Sequence, residues 1–239
     1  MLQELRAALG PRKLLSVAVP SQEVDLVAFT PSTMPRISEH VDFINVMAYE
    51  LMNRRNTEII HATGVQGSKA AVQRYMDRGA PARKINLGLP YYLKWYRTEA
   101  GCDPTKPLGC PALLMEDPET GADLGRTGGF SWHDETPGEL VASFARARSE
   151  GIYDVDDGSY GYWDGEEKLW WSYDTPRSIR TKMAEVVGGL GLGGVFAWGL
   201  GEDAPGFEHL MATTEGIAAL GEGHNGVEDA VKDTVKDEL

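Results

Sequence analysis

The sequence lacks features that are typical of membrane, secreted, glycosylated and metal-binding proteins. No run is apolar for long enough to span a membrane, and the opening residues, MLQELRAALGPRK, lack the basic start and apolar core of a signal peptide. No Asn-x-Ser/Thr sequon occurs. The five histidines have no metal-ligand spacing. We therefore expect no membrane span, no metal and no cofactor.

Basic residues are also scarce. Lys and Arg number 23 against 36 Asp and Glu, which gives a formal net charge of -13. A nucleic-acid-binding protein needs a basic surface to neutralise phosphates. We therefore expect no nucleic-acid partner, while the acidity itself does not select a function.

Cysteine is limited to Cys102 and Cys110, which lie in the short loop GCDPTKPLGC. A disulfide between them would imply an oxidising compartment. The alternative is a pair of free thiols in a cytosolic loop. The spacing and the loop chemistry favour the disulfide.

Apolar runs bounded by Gly and Pro predict buried parallel strands. Helices are predicted before, between and after them, including one that begins with Ser68 as its N-cap and one that begins at Thr175-Pro176. This order is typical of a parallel α/β sheet. Four strands make half of a (β/α)8 TIM barrel and leave two unpaired edges. The predicted strands are 14–19, 41–49, 84–89 and 194–198.

Residues 93–174 interrupt this pattern and are rich in Gly, Pro, Asp and aromatic residues. They predict an inserted α+β subdomain with short antiparallel strands in 128–132 and 160–172. Its helix would begin with a capping box at Thr136-Pro137-Gly138-Glu139. We therefore predict a partial barrel from 1–92 and 175–220, the subdomain 93–174, and a frayed or disordered acidic tail, 221–239.

The predicted strand ends carry side chains that a core does not require. Tyr49 and Glu50 end the second strand, Tyr91 and Tyr92 follow the third, and Trp198 ends the fourth. The carboxyl ends of parallel strands share one rim. Aromatic rings and a carboxylate there suit a sugar, although any one of these residues could merely cap the core.

Ordered motifs along the chain resemble the C-terminal half of glycoside hydrolase family 18, the chitinase-like (β/α) barrels. The resemblance covers about residues 2–210. The matching segments are Met47-Ala48-Tyr49-Glu50, Gly88-Leu89-Pro90-Tyr91-Tyr92, Tyr173-Asp174-Thr175-Pro176-Arg177-Ser178-Ile179 and Gly193-Gly194-Val195-Phe196-Ala197-Trp198. The resemblance implies an α/β fold that contains about the last four β/α units of a TIM barrel, with residues 93–174 as the inserted α+β subdomain.

The resemblance implies binding of chitin or N-acetylglucosamine oligosaccharides and hydrolysis of their β-1,4 linkages, with retention through substrate assistance. Tyr49 would hold the acetamido group and stabilise the oxazolinium ion. Trp198 would form the floor beneath the distorted sugar and Met47 would line it. Glu50 would bind substrate beside the scissile bond, and Tyr92 would shape the cleft.

The sequence departs from the family at the general acid. The family's Asp-x-x-Asp-x-Asp-x-Glu segment does not occur in these 239 residues, and by this alignment it would lie upstream of Met1. A general acid contributes roughly 10²–10⁴-fold to rate, so we expect little or no hydrolysis by this chain. Glu50 replaces the family's Asp, and Leu93-Lys94 replaces Gly-Arg.

Several functions remain open at this point. The sequence could be part of a chitinase, a non-catalytic chito-oligosaccharide-binding protein, or a truncation that cannot close its barrel. An endo-N-acetylglucosaminidase acting on glycans is a further alternative. The resemblance implies a secretory or extracellular location, and Lys236-Asp237-Glu238-Leu239 is either an endoplasmic-reticulum retrieval signal or the end of an acidic tail.

Overall fold

A computed structural model of the protein describes residues 1–221. The predicted acidic tail, with its Lys236-Asp237-Glu238-Leu239 end, lies outside the described residues apart from Gly221. No helix of the described part is long and apolar enough to cross a membrane.

The helices alternate with strands in the first and last parts of the chain. They are α1 (Leu2–Leu9), α2 (Met34–His40), α3 (Val65–Asp77), α4 (Val141–Glu150), α5 (Pro176–Lys182) and α6 (208–221), with α5 continuing into a π-helical segment at Met183–Gly188.

The strands are short and form two sheets. They are β1 (Ser16–Val19), β2 (Phe43–Val46), β3 (Ile85–Pro90), β4 (Leu93–Arg97), β5 (Thr127–Phe130), β6 (Ile152–Asp154), β7 (Ser159–Asp164), β8 (Leu169–Tyr173) and β9 (Gly194–Trp198).

The first sheet has the strand order β1-β2-β3-β9 and is parallel throughout. One face carries fully buried side chains, among them Ile44, Val46, Ile85 and Leu87. They pack with residues of α3, α5 and α6 into one core cluster. The predicted set of four parallel strands is therefore confirmed, and so is the partial β/α barrel.

The structure corrects several predicted boundaries. The second strand ends at Val46 rather than Tyr49, because Ala48 N–H turns back to the Val46 carbonyl at 2.8 Å. The structure also has a short helix before the second strand, α2, which begins at Met34. Pro35 is tolerated there because the first turn of a helix needs no amide donor.

Two predicted helix starts are wrong. Ser68 is not an N-cap but a buried residue inside α3. That helix begins at Val65, where Gln66 N–H donates to the Asp157 carbonyl at 3.1 Å. The capping box at 136–139 does not form either, because Leu140 N–H bonds to the Pro137 carbonyl in a turn and α4 begins only at Val141.

The second sheet is antiparallel, with the order β5-β4-β8-β7-β6. It contains two strands, β4 and β6, beyond the two regions that the sequence indicates. The region 160–172 folds as the hairpin of β7 and β8. Its core contains Leu140, which directly precedes α4, and Phe144 of α4, both clustered with Trp171. Helix and sheet therefore form an α+β unit between β3 and α5.

A buried charge pair lies where the first sheet's loops meet this unit. Lys182 Nζ lies 2.5 Å from Asp174 Oδ2, and both side chains are fully buried. Lys182 also donates to Thr63 Oγ1 at 2.5 Å. Ser178 Oγ donates to the other carboxylate oxygen of Asp174. The pair thus connects α5, the loop before α3 and the end of β8.

Candidate functional site

The predicted rim lies at the carboxyl ends of β2, β3 and β9. Tyr49 and Glu50 follow β2, Tyr92 follows β3, and Trp198 ends β9. The strands are parallel, with Val46 paired to Leu87 and Pro90 paired to Trp198. Because all three strands run in the same direction, these side chains lie at the same edge of the sheet.

Tyr49 is held between two other aromatic rings. It meets Tyr92 edge-on at 6.2 Å between ring centroids and Phe196 at 6.3 Å. Gly88 leaves room for this contact, because a Cβ at position 88 would lie 2.8 Å from atoms of both the Tyr49 and the Phe196 rings. The Tyr49 ring position therefore depends on β3 having a glycine at this point.

Glu50 accepts two hydrogen bonds through one oxygen. Tyr92 Oη donates to Glu50 Oε1 at 3.2 Å, and Lys94 Nζ approaches the same oxygen at 3.4 Å. Glu50 has φ 51°, in the left-handed region where non-glycine residues are uncommon. This conformation turns the chain at the end of β2, and the carboxylate lies beside the chain segment that connects β3 to β4.

The two phenols at the rim are neutral at physiological pH. Burial, followed by the nearby Glu50 carboxylate, raises the pKa of Tyr49 to about 12. The same two causes, in the same order, raise the pKa of Tyr92 far above its ordinary value. Both hydroxyls are therefore hydrogen-bond donors over the whole range in which the protein is expected to work.

A cavity of about 280 Å³ opens along this rim. The Trp198 side chain is 57% exposed beside it, and the peptide bond from Trp198 to Gly199 is cis. An accessible indole face next to carboxylates, an ammonium group and a phenol can stack on a sugar ring and bond its hydroxyls. The residues that line this cavity include Glu50, Tyr92, Lys94, Asp134, Trp198 and Glu202.

The structure brings together most of the predicted site residues. Tyr49, Glu50 and Tyr92 are in mutual contact, and Glu50, Tyr92 and Trp198 share the cavity. Met47 is half-buried just past β2, where its N–H donates to the Val19 carbonyl. Met47 and Tyr49 do not line the cavity itself.

Tyr91 lies elsewhere, contrary to the prediction that it shares the rim with Tyr92. Its side chain is buried, its hydroxyl lies 2.8 Å from Thr213 Oγ1, and its ring stacks on His209. Because successive side chains along a strand point to opposite faces, only one of two adjacent tyrosines can face the rim.

Three further residues join the site. Lys94 was noted in the sequence only as a departure from the family pattern. Asp134 and Glu202 come from the loops after β5 and β9, where their carboxylates accept N–H bonds from Ser131 at 3.0 Å and Gly199 at 2.9 Å. No local pattern marks these two carboxylates, since their placement depends on how the second sheet packs beside β9.

A larger cavity, of about 630 Å³, lies on the second sheet and shares no lining residue with the rim. Part of its wall is the loop closed by Cys102 and Cys110, which the structure joins by a disulfide with Cα atoms 5.6 Å apart. Among the described residues, no group of three His, Cys, Asp or Glu could hold a metal ion.

A parallel β/α sheet with an exposed indole, phenols and a bonded carboxylate at its strand ends fits the class of carbohydrate-binding β/α-barrel proteins. Comparison with known proteins agrees. The model of the glycosyl hydrolases family 18 matches residues 1–203, and the chain belongs to that family.

The chain is similar to three fungal and animal proteins along most of its length. It is 27% identical over 210 residues to endochitinase 1 of Metarhizium anisopliae and 26% identical over 218 residues to chitinase 1 of Aphanocladium album. It is 27% identical over 214 residues to chitotriosidase-1 of Mus musculus. These matches cover 84%, 87% and 84% of this chain but only 44%, 46% and 42% of the relatives, so the chain spans less than half their length.

Solved structures give the same fold. A chitinase from Rhizomucor miehei superposes with a TM-score of 0.71 at 20% identity, covering 90% of this chain and 64% of that one. The Group IV chitinase of Ostrinia furnacalis, in complex with allosamidin, gives a TM-score of 0.69 at 20% identity, with 92% and 61% covered.

Proposed function

We propose that this chain binds oligomers of N-acetylglucosamine along the rim formed by Tyr49, Glu50, Tyr92 and Trp198, and hydrolyses them slowly or not at all by itself. The observation that carries the proposal is the exposed Trp198 indole beside the Glu50–Tyr92 pair. A mutant of a class V chitinase from Cycas revoluta, to which this chain is similar in structure, was solved in complex with (GlcNAc)3, which supports the ligand class.

Each rim residue has a defined task in this proposal. Trp198 stacks on the apolar face of one sugar ring. The neutral Tyr49 hydroxyl donates to the acetamido oxygen of that sugar, because its pKa of about 12 keeps the proton in place. Glu50 accepts from a sugar hydroxyl while Tyr92 and Lys94 hold its carboxylate.

Slow or absent hydrolysis follows from the proton that the leaving oxygen needs. The 239 residues contain no Asp-x-x-Asp-x-Asp-x-Glu segment. General acid catalysis contributes roughly 10²–10⁴-fold, so the rim residues alone would bind the substrate and orient its acetamido group without completing the reaction.

The test is calorimetric titration of the chain with chitotetraose. We expect binding that Trp198→Ala weakens roughly tenfold, which corresponds to about 1.4 kcal/mol. Phe207→Ala is the matched control, because Phe207 is also 57% exposed but does not line the cavity. Cellotetraose, which lacks the acetamido groups, should bind more weakly than chitotetraose.

Two results would contradict the proposal. Equal binding by Trp198→Ala and the unchanged chain would remove the rim as the binding site. Rapid turnover of chitotetraose that Trp198→Ala abolishes would contradict the second half of the proposal, which allows slow hydrolysis at most.

We also propose a secretory or extracellular location. The disulfide between Cys102 and Cys110 supports it, because such bonds persist in oxidising compartments. A thiol assay on chain made in the secretory pathway, denatured without reductant, should find no free thiol. Two free thiols per chain would contradict this location.

A further inference from the structure

The cavity of about 630 Å³ on the second sheet is lined by described residues that all lie within 61–170. Part of its wall is the loop between Cys102 and Cys110, which the disulfide closes. Ile59 holds the end of that loop, since its N–H donates to the Cys110 carbonyl at 2.8 Å and its carbonyl accepts the Gly109 N–H at 2.9 Å. The wall is therefore in place before any ligand binds, and a volume of this size is ordinary for a small-molecule site.

The charges around this cavity are mostly negative. Glu150, Asp154 and Asp156 line it, and Lys106 is the one basic residue among the described residues that do so. Tyr162 Oη donates to Glu150 Oε2 at 2.9 Å, which holds that carboxylate at the wall. A cavity lined by carboxylates attracts cations. Because no group of three described His, Cys, Asp or Glu residues could hold a metal ion, the charge suits an organic cation.

A buried hydrogen-bond acceptor in the wall lacks a donor. The His61 side chain is 4% exposed, and its Nε2 lies 3.3 Å from Asp154 Oδ2. An ionised carboxylate only accepts, so Nε2 carries the proton. Burial lowers the pKa of His61, although nearby carboxylates, Asp157 first, oppose it. The ring is therefore neutral at neutral pH, and Nδ1 is an acceptor without a partner among the described residues. Such a group favours a ligand that brings a hydrogen-bond donor.

The apolar part of the lining differs from the sugar-binding rim. Trp163 and Trp170 line the cavity but are almost fully buried, so neither offers a free indole face as Trp198 does. The exposed apolar side chains of the lining are Leu108 and Ile152. A sugar ring stacks on an accessible aromatic face, whereas aliphatic side chains accept any apolar body that fits the space. The lining therefore suits an apolar body better than a sugar.

We propose that this cavity binds a small organic cation, an ammonium group carried on an aromatic or aliphatic body. The ammonium group lies among Glu150, Asp154 and Asp156, and the apolar body packs against Leu108 and Ile152. The cavity shares no lining residue with the rim. The cation and the oligosaccharide therefore bind at separate sites.

The experiment is ligand-observed NMR titration of the full chain with three indoles of nearly equal size. At neutral pH tryptamine carries an ammonium group, tryptophol a neutral hydroxyl and indole-3-propionate a carboxylate. We expect tryptamine to bind at one saturable site, at least roughly tenfold more tightly than tryptophol, because hydrogen bonds between charged groups are the stronger ones. Indole-3-propionate should bind most weakly. Added chitotetraose and the Trp198→Ala variant should leave the tryptamine dissociation constant unchanged.

Variants of the wall test the position of the cation. Glu150→Gln combined with Asp156→Asn changes two exposed residues and should raise the tryptamine dissociation constant roughly fivefold. Lys106→Gln should lower it about twofold, because a like charge is removed. Glu119→Gln combined with Glu139→Gln is the matched control, since it makes the same change of net charge at exposed positions outside the cavity.

Several results would overturn the proposal. Absence of saturable tryptamine binding would remove the site. Equally tight binding of tryptophol or indole-3-propionate would indicate an apolar or an anionic ligand instead. Displacement of tryptamine by chitotetraose would place the amine at the rim. An equal loss of binding in the control pair would show that the net charge of -13, rather than this cavity, attracts the amine.

Discussion

Glu50 is the residue on which the rim's electrostatics depend. Its carboxylate accepts hydrogen bonds from Tyr92 and Lys94. The same carboxylate is the second cause of the raised pKa of Tyr49, and burial is the first. Glu50 is itself about half exposed, so its pair with Lys94 is screened by water and contributes little to stability. Its importance lies in setting the protonation and position of the neighbouring donors.

Replacing Glu50 by Gln should therefore change Tyr49 more than it changes the fold. We expect the pKa of Tyr49 to fall from its value of about 12, because one of its two causes is removed, and to stay above 10, because burial remains. Ultraviolet absorbance titration measures the Tyr49 pKa. The titration curve of a Tyr49→Phe variant is subtracted, once in the unchanged chain and once in Glu50→Gln, to isolate the signal of Tyr49. Glu139→Gln, at an exposed position outside the rim, is the control. An unchanged Tyr49 pKa in Glu50→Gln would contradict the assigned role.

At the scale of elements, α5 fixes the return from the second sheet to the first. The sequence predicts its start at Thr175-Pro176, and the structure confirms it, with the Thr175 N–H donating to Ser178 Oγ at 2.9 Å. The sequence does not predict that Lys182, six residues further on, is fully buried against Asp174. A lysine is rarely buried unless it is paired, and Asp174 and Thr63 supply the partners.

Lys182→Met should destabilise the protein by about 3–5 kcal/mol, because it leaves the Asp174 carboxylate buried without its counter-charge. Urea unfolding measures the change. The matched control is Arg180→Met on the same helix, where Arg180 forms an ion pair with Glu215 in which both side chains are 53% exposed. A surface pair contributes at most about 1 kcal/mol. Similar losses in the two variants would contradict this interpretation.

At the scale of the whole molecule, His61 links the two sheets. It lies in the loop after β2, its Nε2 is 3.3 Å from Asp154 Oδ2 on β6, and its ring packs on Trp170 of β8. Its Nδ1 is buried without a hydrogen-bond partner among the described residues. Burial lowers the pKa of His61, while the nearby carboxylates, Asp157 first, oppose this.

This shift makes stability depend on pH in a defined direction. The pKa of His61 is lower in the folded than in the unfolded protein, where it is about 6.5. As pH falls below that value, His61 binds a proton in the unfolded chain before it does so in the folded protein. His61 therefore destabilises the fold in acid and has no such effect when the pH is above the unfolded pKa.

The unfolding free energy should therefore fall less between about pH 7 and about pH 5.5 in His61→Gln than in the unchanged chain. Urea unfolding at the two pH values measures it. His133→Gln, at an exposed histidine, is the control and should behave like the unchanged chain. A larger fall of the unfolding free energy in His61→Gln than in the unchanged chain would contradict a lowered pKa of His61.

The sequence alone determined the four parallel strands, the end of β9 at Trp198 and the family, because runs of buried residues and strand-end motifs are local patterns. Only the tertiary structure decided that Tyr92 rather than Tyr91 faces the rim and that Asp134 and Glu202 join it. It also decided that α3 begins at Val65, where an amide donates to the distant Asp157 carbonyl. These features join residues far apart in the chain. Local periodicity says which residues are buried, but the packing of one sheet beside another decides what each side chain meets.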